Sequence, residues 1–309
     1  MRDEVTSSQS DARPGVVHGS VGGVYAVLLD GGERVEASLR GRVKQGGGPA
    51  GRVVIGDRVS VARSGDSWTI DSVSERTTQL VRRGRSERAP KVLAANLDRV
   101  FAVVSVAEPP ASTDLIDRLL VLVESSGMHP ILVLNKVDLD DEGAAARFAE
   151  LYESIGYRVL PASAVSGQGL EPLRTELAAG SSALIGPSGV GKSSLLNALD
   201  PALGLETGAL SRRTGTGRHT TVGSRLIELT SGGLVADTPG FGDVGLWAVP
   251  AEEVADCFPE FAPFKDRCRF RMCTHLHEPD CGVREAVERG EVVGSRYASY
   301  RRLRGEAEE

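Results

Sequence analysis

Hydrophobic and polar positions divide the chain into three stretches of different rhythm. Between Gly15 and about Arg76, short β-type segments recur between turn signals: Gly15–Gly19, Tyr25–Leu29 ahead of Asp30-Gly31-Gly32, Arg34–Ala37, Arg58–Val61 and Ser67–Ile70. Five short strands so closely spaced predict a small closed barrel over residues 14–80, an oligonucleotide-binding (OB) fold being the leading candidate. From Leu97 the rhythm becomes α/β. Val100–Val104 and Ile131–Leu134 are buried-strand runs, Asp114–Ser125 carries apolar Leu115, Ile116, Leu119, Leu120 and Leu122 at helical spacing, and a second helix is expected over residues 142–155. Residues 1–13 are polar and aperiodic, which predicts a disordered tail. Arg82, Arg83, Arg85 and Arg88 stand in a polar stretch that marks a linker whose charge is also suited to RNA.

The α/β stretch is organised around Gly186-Pro187-Ser188-Gly189-Val190-Gly191-Lys192-Ser193, between the apolar run Ala183–Ile185 and the helical pattern Ser194–Leu199. Strand, glycine loop and helix together form a phosphate cradle. Glycines let successive backbone N–H groups turn inward, and the helix presents its positive end to the same anion. Lys192 is placed to reach the β- and γ-phosphates, and the Ser193 hydroxyl to ligate Mg²⁺, with Ser194 completing the loop.

Two further fragments select the base. Asn135-Lys136-Val137-Asp138 follows the Ile131–Leu134 strand. Asp138 can accept from guanine N1 and N2, Asn135 can bond the base and hold neighbouring loops, and the Lys136 stem can cover the ring. The segment Leu160–Gly167, with Ser163 and Ala164, resembles the loop whose backbone amide reads guanine O6. Such polar contacts reject a wrong base by roughly 10⁴–10⁵-fold, which favours GTP over ATP. Downstream, Arg212-Arg213-Thr214-Gly215-Thr216-Gly217-Arg218-His219-Thr220-Thr221 has the composition of a mobile loop from which Thr220 or Thr221 can complete a Mg²⁺ shell. Leu226–Leu229 and Gly233–Ala236 then read as strands, the second leading into Asp237-Thr238-Pro239-Gly240. Asp237 would hold Mg²⁺ or its water, and the Gly240 N–H would meet the γ-phosphate. All five guanine-nucleotide elements are present, but the base loops precede the P-loop, so the domain, over residues 90–245, is circularly permuted.

Charge and cysteine usage narrow the setting. With a net charge of −6 the chain offers no wholesale polycation, so contact with nucleic acid must come from local basic clusters. One is the loop Arg40–Gly48, which is equally readable as a solvated turn. Few aromatics are available for base stacking, and Trp68 suits a core as well as a platform, so the barrel reads either as a binder or as a packing domain. No apolar run approaches about 18 residues and the N-terminus lacks a hydrophobic signal core, so the expectation is a cytoplasmic protein without a membrane partner.

The last stretch, residues 246–309, holds Cys268, Cys273, His275 and Cys281 in the spacing C-x4-C-x-H-x5-C. Three thiolates and one imidazole suit tetrahedral Zn²⁺ with no open position, a structural site, with His277 as a substitute ligand and Cys257 as a core residue. Lys265, Arg267, Arg269 and Arg271 surround it, and Arg296, Arg301, Arg302 and Arg304 follow with Tyr297 and Tyr300; both sets are candidates to face nucleic-acid phosphates.

Permutation, the Gly217–Thr221 run and the cysteine spacing together resemble the bacterial ribosome small subunit-dependent GTPase A (RsgA, YjeQ/YloQ) family, from about Gly15 onward. The resemblance implies an α/β chain: an OB-fold barrel, a circularly permuted P-loop GTPase domain and a small, zinc-binding, partly helical domain. It further implies a monomeric GTPase that binds the 30S ribosomal subunit and its rRNA, turns GTP into GDP and phosphate, and acts late in maturation of that subunit; the phosphates that the two basic sets face would then be those of rRNA. Val222 stands where the family usually has a third threonine, leaving Thr220 and Thr221 both open as the magnesium ligand. Phe241 follows Gly240 where Ras-like enzymes place a water-orienting glutamine, so slow intrinsic hydrolysis is expected, stimulated by the 30S subunit. His219 matches a family histidine and is the nearest candidate to place the water, or else makes a backbone or RNA contact. Two rival readings are an RNA-binding module regulated by nucleotide, and a P-loop ATPase or kinase; Asn135–Asp138 disfavours the latter. Because the Asp237 loop leads straight into the zinc region, loss of the γ-phosphate is expected to reorient that region.

Overall fold

In the computed structural model the described residues are 12–41, 52–82, 91–205, 224–237 and 249–308. The first five strands, β1 (Arg13–Val21), β2 (Val24–Leu29), β3 (Arg34–Leu39), β4 (Arg58–Ser64) and β5 (Ser67–Val73), close on themselves because β1 pairs with both β2 and β4 while β3 pairs in parallel with β5. Period-2 alternation drives the closure. In β2, Tyr25, Val27 and Leu29 point inward and Val24 and Ala26 outward, and the inward set joins Val17, Val35, Val59, Val61 and Ile70 in one core. This is the expected OB-like barrel.

The polar stretch read as a linker is partly a ribbon. β6 (Gln79–Arg82) pairs antiparallel with β7 (Lys91–Ala95), while Arg83, Arg85 and Arg88 lie outside the described residues. Leu80 and Ala94 of the ribbon are buried in the same core as Val100 and Leu132, so packing holds it as well as the ladder; its apolar runs are short and lie beside the arginines, which is why the hydrophobic pattern missed it.

The α/β unit contains β8 (Arg99–Ser105), α1 (Thr113–Glu124), β9 (Pro130–Asn135), α2 (Ala144–Ser154), β10 (Arg158–Pro161), α3 (Leu170–Leu177), β11 (Ser181–Ile185), α4 (Lys192–Leu199), β12 (Ser224–Glu228) and β13 (Leu234–Asp237). Spatial order is β10-β9-β8-β11-β13-β12, parallel except for β12. Every residue of β9 is buried, with Leu132 and Leu134 facing the α1 and α2 side and Ile131 and Val133 facing the α3 and α4 side. The chain runs outward from β8 to β10, then returns to lay β11 on the other side of β8. That reversal opens a crevice at the carboxyl ends of the strands, where ligands bind in open α/β sheets.

Two joints tie the stretches together. β12 also pairs antiparallel with β1, so the barrel and the α/β sheet form one continuous sheet. At the other end, the C-terminal region with α5 (Ala262–Lys265), α6 (Gly282–Glu288) and α7 (Gly294–Glu308) builds its core from Phe258, Phe261, Tyr300 and Leu303 against Val121 of α1.

Candidate nucleotide site and metal centre

The P-loop leaves β11 at Gly186, whose φ of +146° and the 2.0 Å that would separate a Cβ from the Val103 carbonyl oxygen admit only glycine. Gly191, at φ +95°, precedes the first residue of α4, and a Cβ there would come within 2.3 Å of Asn135 Nδ2. That space is used. Asn135, buried at the end of β9, donates from Nδ2 to the Val190 carbonyl at 2.8 Å and so fastens the base loop to the P-loop; its Oδ1 is buried without a hydrogen-bond partner among the described residues. Lys192 Nζ donates to the Gly186 and Pro187 carbonyls at 2.7 and 2.8 Å, which curls the ammonium over its own loop.

Lys136 adopts the left-handed conformation (φ +63°) and its ammonium donates to the Glu108 carbonyl, which turns Val137 and Asp138 out of the strand. The base loop is also secured to the following fragment. Val137 N–H donates to the Ala162 carbonyl at 3.2 Å, and the Ser163 hydroxyl donates to Asp138 Oδ1. The same hydroxyl accepts from the Val165 and Ser166 amides at 3.2 and 3.0 Å, shaping the loop that contains Ala164. One carboxylate edge of Asp138 is thereby oriented while the residue stays exposed. Asp237 ends β13 and pairs with Arg225 Nε of β12 at 3.2 Å.

In the C-terminal region Cys268, Cys273, His275 and Cys281 bring their ligand atoms within 4.8 Å of one another. A zinc tetrahedron, with bonds of about 2.3 Å to sulfur and about 2.0 Å to nitrogen, has edges of about 3.4–3.8 Å. Cys268 Sγ and Cys281 Sγ are 3.9 Å apart, and each lies 3.5 and 3.4 Å respectively from His275 Nδ1. The donor set fits one metal ion. Burial, reinforced by the neighbouring thiols, pushes Cys273 up to about 12, and burial lowers His275, so the imidazole is neutral and ready to ligate while a cation is needed to ionise Cys273. His277 is exposed and stands outside the group. Cys257 is a buried core residue, as expected.

A family model described as RsgA GTPase matches residues 73–247. A small ribosomal subunit biogenesis GTPase RsgA of Gemmatimonas aurantiaca is 48% identical over 297 residues, spanning 94% of this chain and 96% of the relative. The chain belongs to the RsgA GTPase family. Its relative from Moorella thermoacetica is 45% identical over 246 residues, 79% of this chain and 81% of that one. The crystal structure of YjeQ from Thermotoga maritima superposes with a TM-score of 0.76 at 35% identity, covering 96% of this chain and 98% of YjeQ. YloQ, described as a circularly permuted GTPase, gives 0.75 at 32% identity, over 100% and 98%. The family membership and the permuted fold make the chain a GTP-hydrolysing enzyme.

Of the sequence-predicted site residues of this family member, the crevice gathers Asn135, Lys136, Val137, Asp138, Ser163, Ala164, the Gly186–Ser194 loop and Asp237 at the carboxyl ends of β9, β10, β11 and β13. His219, Thr220, Thr221, Gly240 and Phe241, with the Arg212–Arg218 run and Arg42–Gly48, lie outside the described residues.

One expectation is corrected. Neither Arg296 nor Tyr300 faces rRNA. Tyr300 is fully buried among Phe258, Phe261 and Leu303. Arg296 is fully buried, bonded to Asp117 Oδ1 at 2.6 Å and to both Glu260 oxygens at 2.7 and 3.2 Å, and it lies 4.4 Å from the Phe258 ring centre. Burial opposes its charge, and Asp117 and Glu260 more than restore it, so its pKa is raised. Tyr152 of α2 donates to the same Asp117 oxygen at 2.6 Å. Arg118 grips Glu306, and Arg302 reaches Asp114, so α1 and α7 are bound along their length. Glu278 was also missed. Burial works against its charge, but its carboxylate takes the Thr274 hydroxyl and the Thr274 and His277 amides, which brings it down to about 2 and braces the metal loop.

Proposed function

We propose that this chain is a ribosome-associated GTPase that binds the 30S subunit, hydrolyses GTP to GDP and phosphate during late maturation of that subunit, and is slow until the subunit stimulates it. The observation that carries the reading is the Asn135–Val190 bond, which holds a guanine-type base loop against a phosphate loop across the permuted connection. The names of the relatives, small ribosomal subunit biogenesis GTPases, support the ribosomal part.

In this reading the Gly186–Ser194 amides cradle the phosphates, Lys192 leaves its loop carbonyls for the β- and γ-oxygens, Asp138 reads guanine N1 and N2, and the Ala164 amide reads O6. Gly240 meets the γ-phosphate. Ser193, Asp237 and either Thr220 or Thr221 would hold Mg²⁺, which spreads the charge developing on the transferred phosphoryl group. Cys268, Cys273, His275 and Cys281 would hold one structural Zn²⁺. The functional units are a barrel from Arg13, the first residue of β1, to 80, the GTPase domain at 90–245 and the zinc domain at 246–309, in a cytoplasmic monomer; residues 1–11 of the expected tail lie outside the described residues. No helix among the described residues is long and apolar enough to cross a membrane.

The test is steady-state phosphate release with and without saturating 30S subunits, for wild type and His219→Ala at matched GTP occupancy. Stimulation of wild type, mostly lost in the variant with little change in GTP affinity, is the expected result, since the proposed contact exists mainly in the transition state. Equal stimulated rates would make His219 a bystander. No stimulation of wild type would favour the RNA-binding module, the reading that Phe241 supports.

A further inference from the structure

The buried residues of α7 are Arg296, Ser299, Tyr300 and Leu303, the stripe turned toward α1 and the metal loop. Ala298, Arg301 and Arg302 fall elsewhere on the helix, at i, i+3 and i+4. With Leu276 and His277 of the metal loop they line an open cleft of about 540 Å³. Ala298, exposed and carrying only a methyl group, lines it beside the two arginines.

Both walls are held in place. Tyr297 donates to the His275 carbonyl at 2.6 Å and Tyr300 to the Thr274 carbonyl, which ties α7 to the loop that carries the metal ligands. Glu278 accepts from the Leu276 and His277 amides at 3.2 and 3.3 Å. A ligand entering here therefore costs little loop ordering.

The cations of this region differ in what they have left to offer. Lys265 pairs with Asp256, Arg269 with Asp280, Arg302 with Asp114 and Arg304 with Glu308, and Arg267 lies over Phe264. Arg271 and Arg301 are exposed and have no ion pair among the described residues, and of the two only Arg301 lines the cleft. An unengaged guanidinium at the mouth of a braced cleft is a receptor for a tetrahedral anion, because its planar fork of N–H groups matches two oxygens at once. The apolar surfaces of Leu276 and Ala298 leave room for the sugar attached to such an anion.

We propose that this cleft is an RNA phosphodiester site, with Arg301 as its anion ligand and Ala298 in its lining. This rests on the proposed association with the small ribosomal subunit and names the surface through which the zinc region makes it. A phosphate contact positions the domain on RNA without reading sequence.

The test measures affinity of the full-length protein, with a non-hydrolysable GTP analogue, for small ribosomal subunits and for protein-free small-subunit rRNA across a salt series. Arg301→Ala is expected to weaken binding to both about tenfold at moderate salt and to flatten the slope of log K against log salt by about 0.7–0.9, the loss of one phosphate contact. Ala298→Leu, which fills the cleft and leaves every charge in place, is expected to reproduce that loss. GTP affinity, unstimulated phosphate release and metal content should not change in either variant. An unchanged salt slope in Arg301→Ala overturns the proposal, as does a loss confined to intact subunits, which would mark an acidic protein as the occupant. Failure of wild type to bind small subunits at all would instead overturn the ribosomal reading on which the proposal stands.

Discussion

The nucleotide crevice and the metal centre are assembled by opposite means. Residues of the crevice come from 135 to 237 in the chain and meet because the sheet reverses beside β8; backbone devices then set each loop, such as the positive φ of Gly186 and the Asn135–Val190 bond. At the metal centre all four ligands come from Cys268–Cys281, and the short segment between them has little core of its own. The first site is shaped before its ligand arrives. The second is shaped around thiols of which Cys273 and Cys281 resist ionisation until a cation displaces their protons to water.

The largest effect should come from the metal. Cys268→Ser or Cys281→Ser, or a strong chelator, removes an interaction of roughly 10–16 kcal/mol apparent binding energy in small zinc domains. Metal analysis should show loss of stoichiometric zinc, and hydrogen exchange should rise after about residue 260, while GTP affinity stays within a few-fold of wild type. A parallel collapse of GTP binding would break the contrast between the two sites.

Next in size is the tie between them. Arg296→Ala leaves Asp117 and Glu260 as buried carboxylates without their partner, a loss of about 3–5 kcal/mol that denaturant unfolding will read. The surface pair Arg118–Glu306, partly exposed, should count for much less when cut. The same buried pairs bear on the expected reorientation of the zinc region by nucleotide. Any such motion must either carry α1 with it or break Arg296 from Asp117.

The smallest of the three is at the base. Asp138→Asn should weaken GTP about 100-fold, about 2.7 kcal/mol, and turn preference toward xanthine nucleotides, without lowering the melting temperature. Competition between GTP and XTP checks it. Retained guanine preference would show that Asp138 does not read the base.

What was legible in the sequence follows the same contrast. The P-loop, the base loop and the cysteine knuckle are local: each spans fewer than about 15 residues, and the residue types state the chemistry. The barrel was legible because strand alternation is periodic. Arg296 was not, because grouping it with Arg301, Arg302 and Arg304 treats arginine as a surface residue. The helical register held the missing signal: 296, 300 and 303 fall on one stripe, and two of the three are Tyr and Leu. Its partners Asp117 and Glu260 are far away in the chain, so no spacing rule could have found them. Glu278 was hidden for a related reason, since it is held by hydrogen bonds that leave no mark on hydrophobicity, and the β6–β7 ribbon because its buried Leu80 and Ala94 sit in apolar runs too short to stand out beside the arginines.

The continuity of β12 with β1 has a consequence for how the chain can be divided. Without the barrel, β12 would be the outermost strand of the α/β sheet, offering a row of unpaired N–H and C=O groups to any passing extended segment. The barrel covers that row through Gly19–Arg225 and Ser20–Ser224, and Arg34 reaches across to Glu228 at 3.1 Å. A chain trimmed to its catalytic sheet would keep its loops and gain a sticky border, so here a module that looks detachable by sequence also guards its neighbour against self-association.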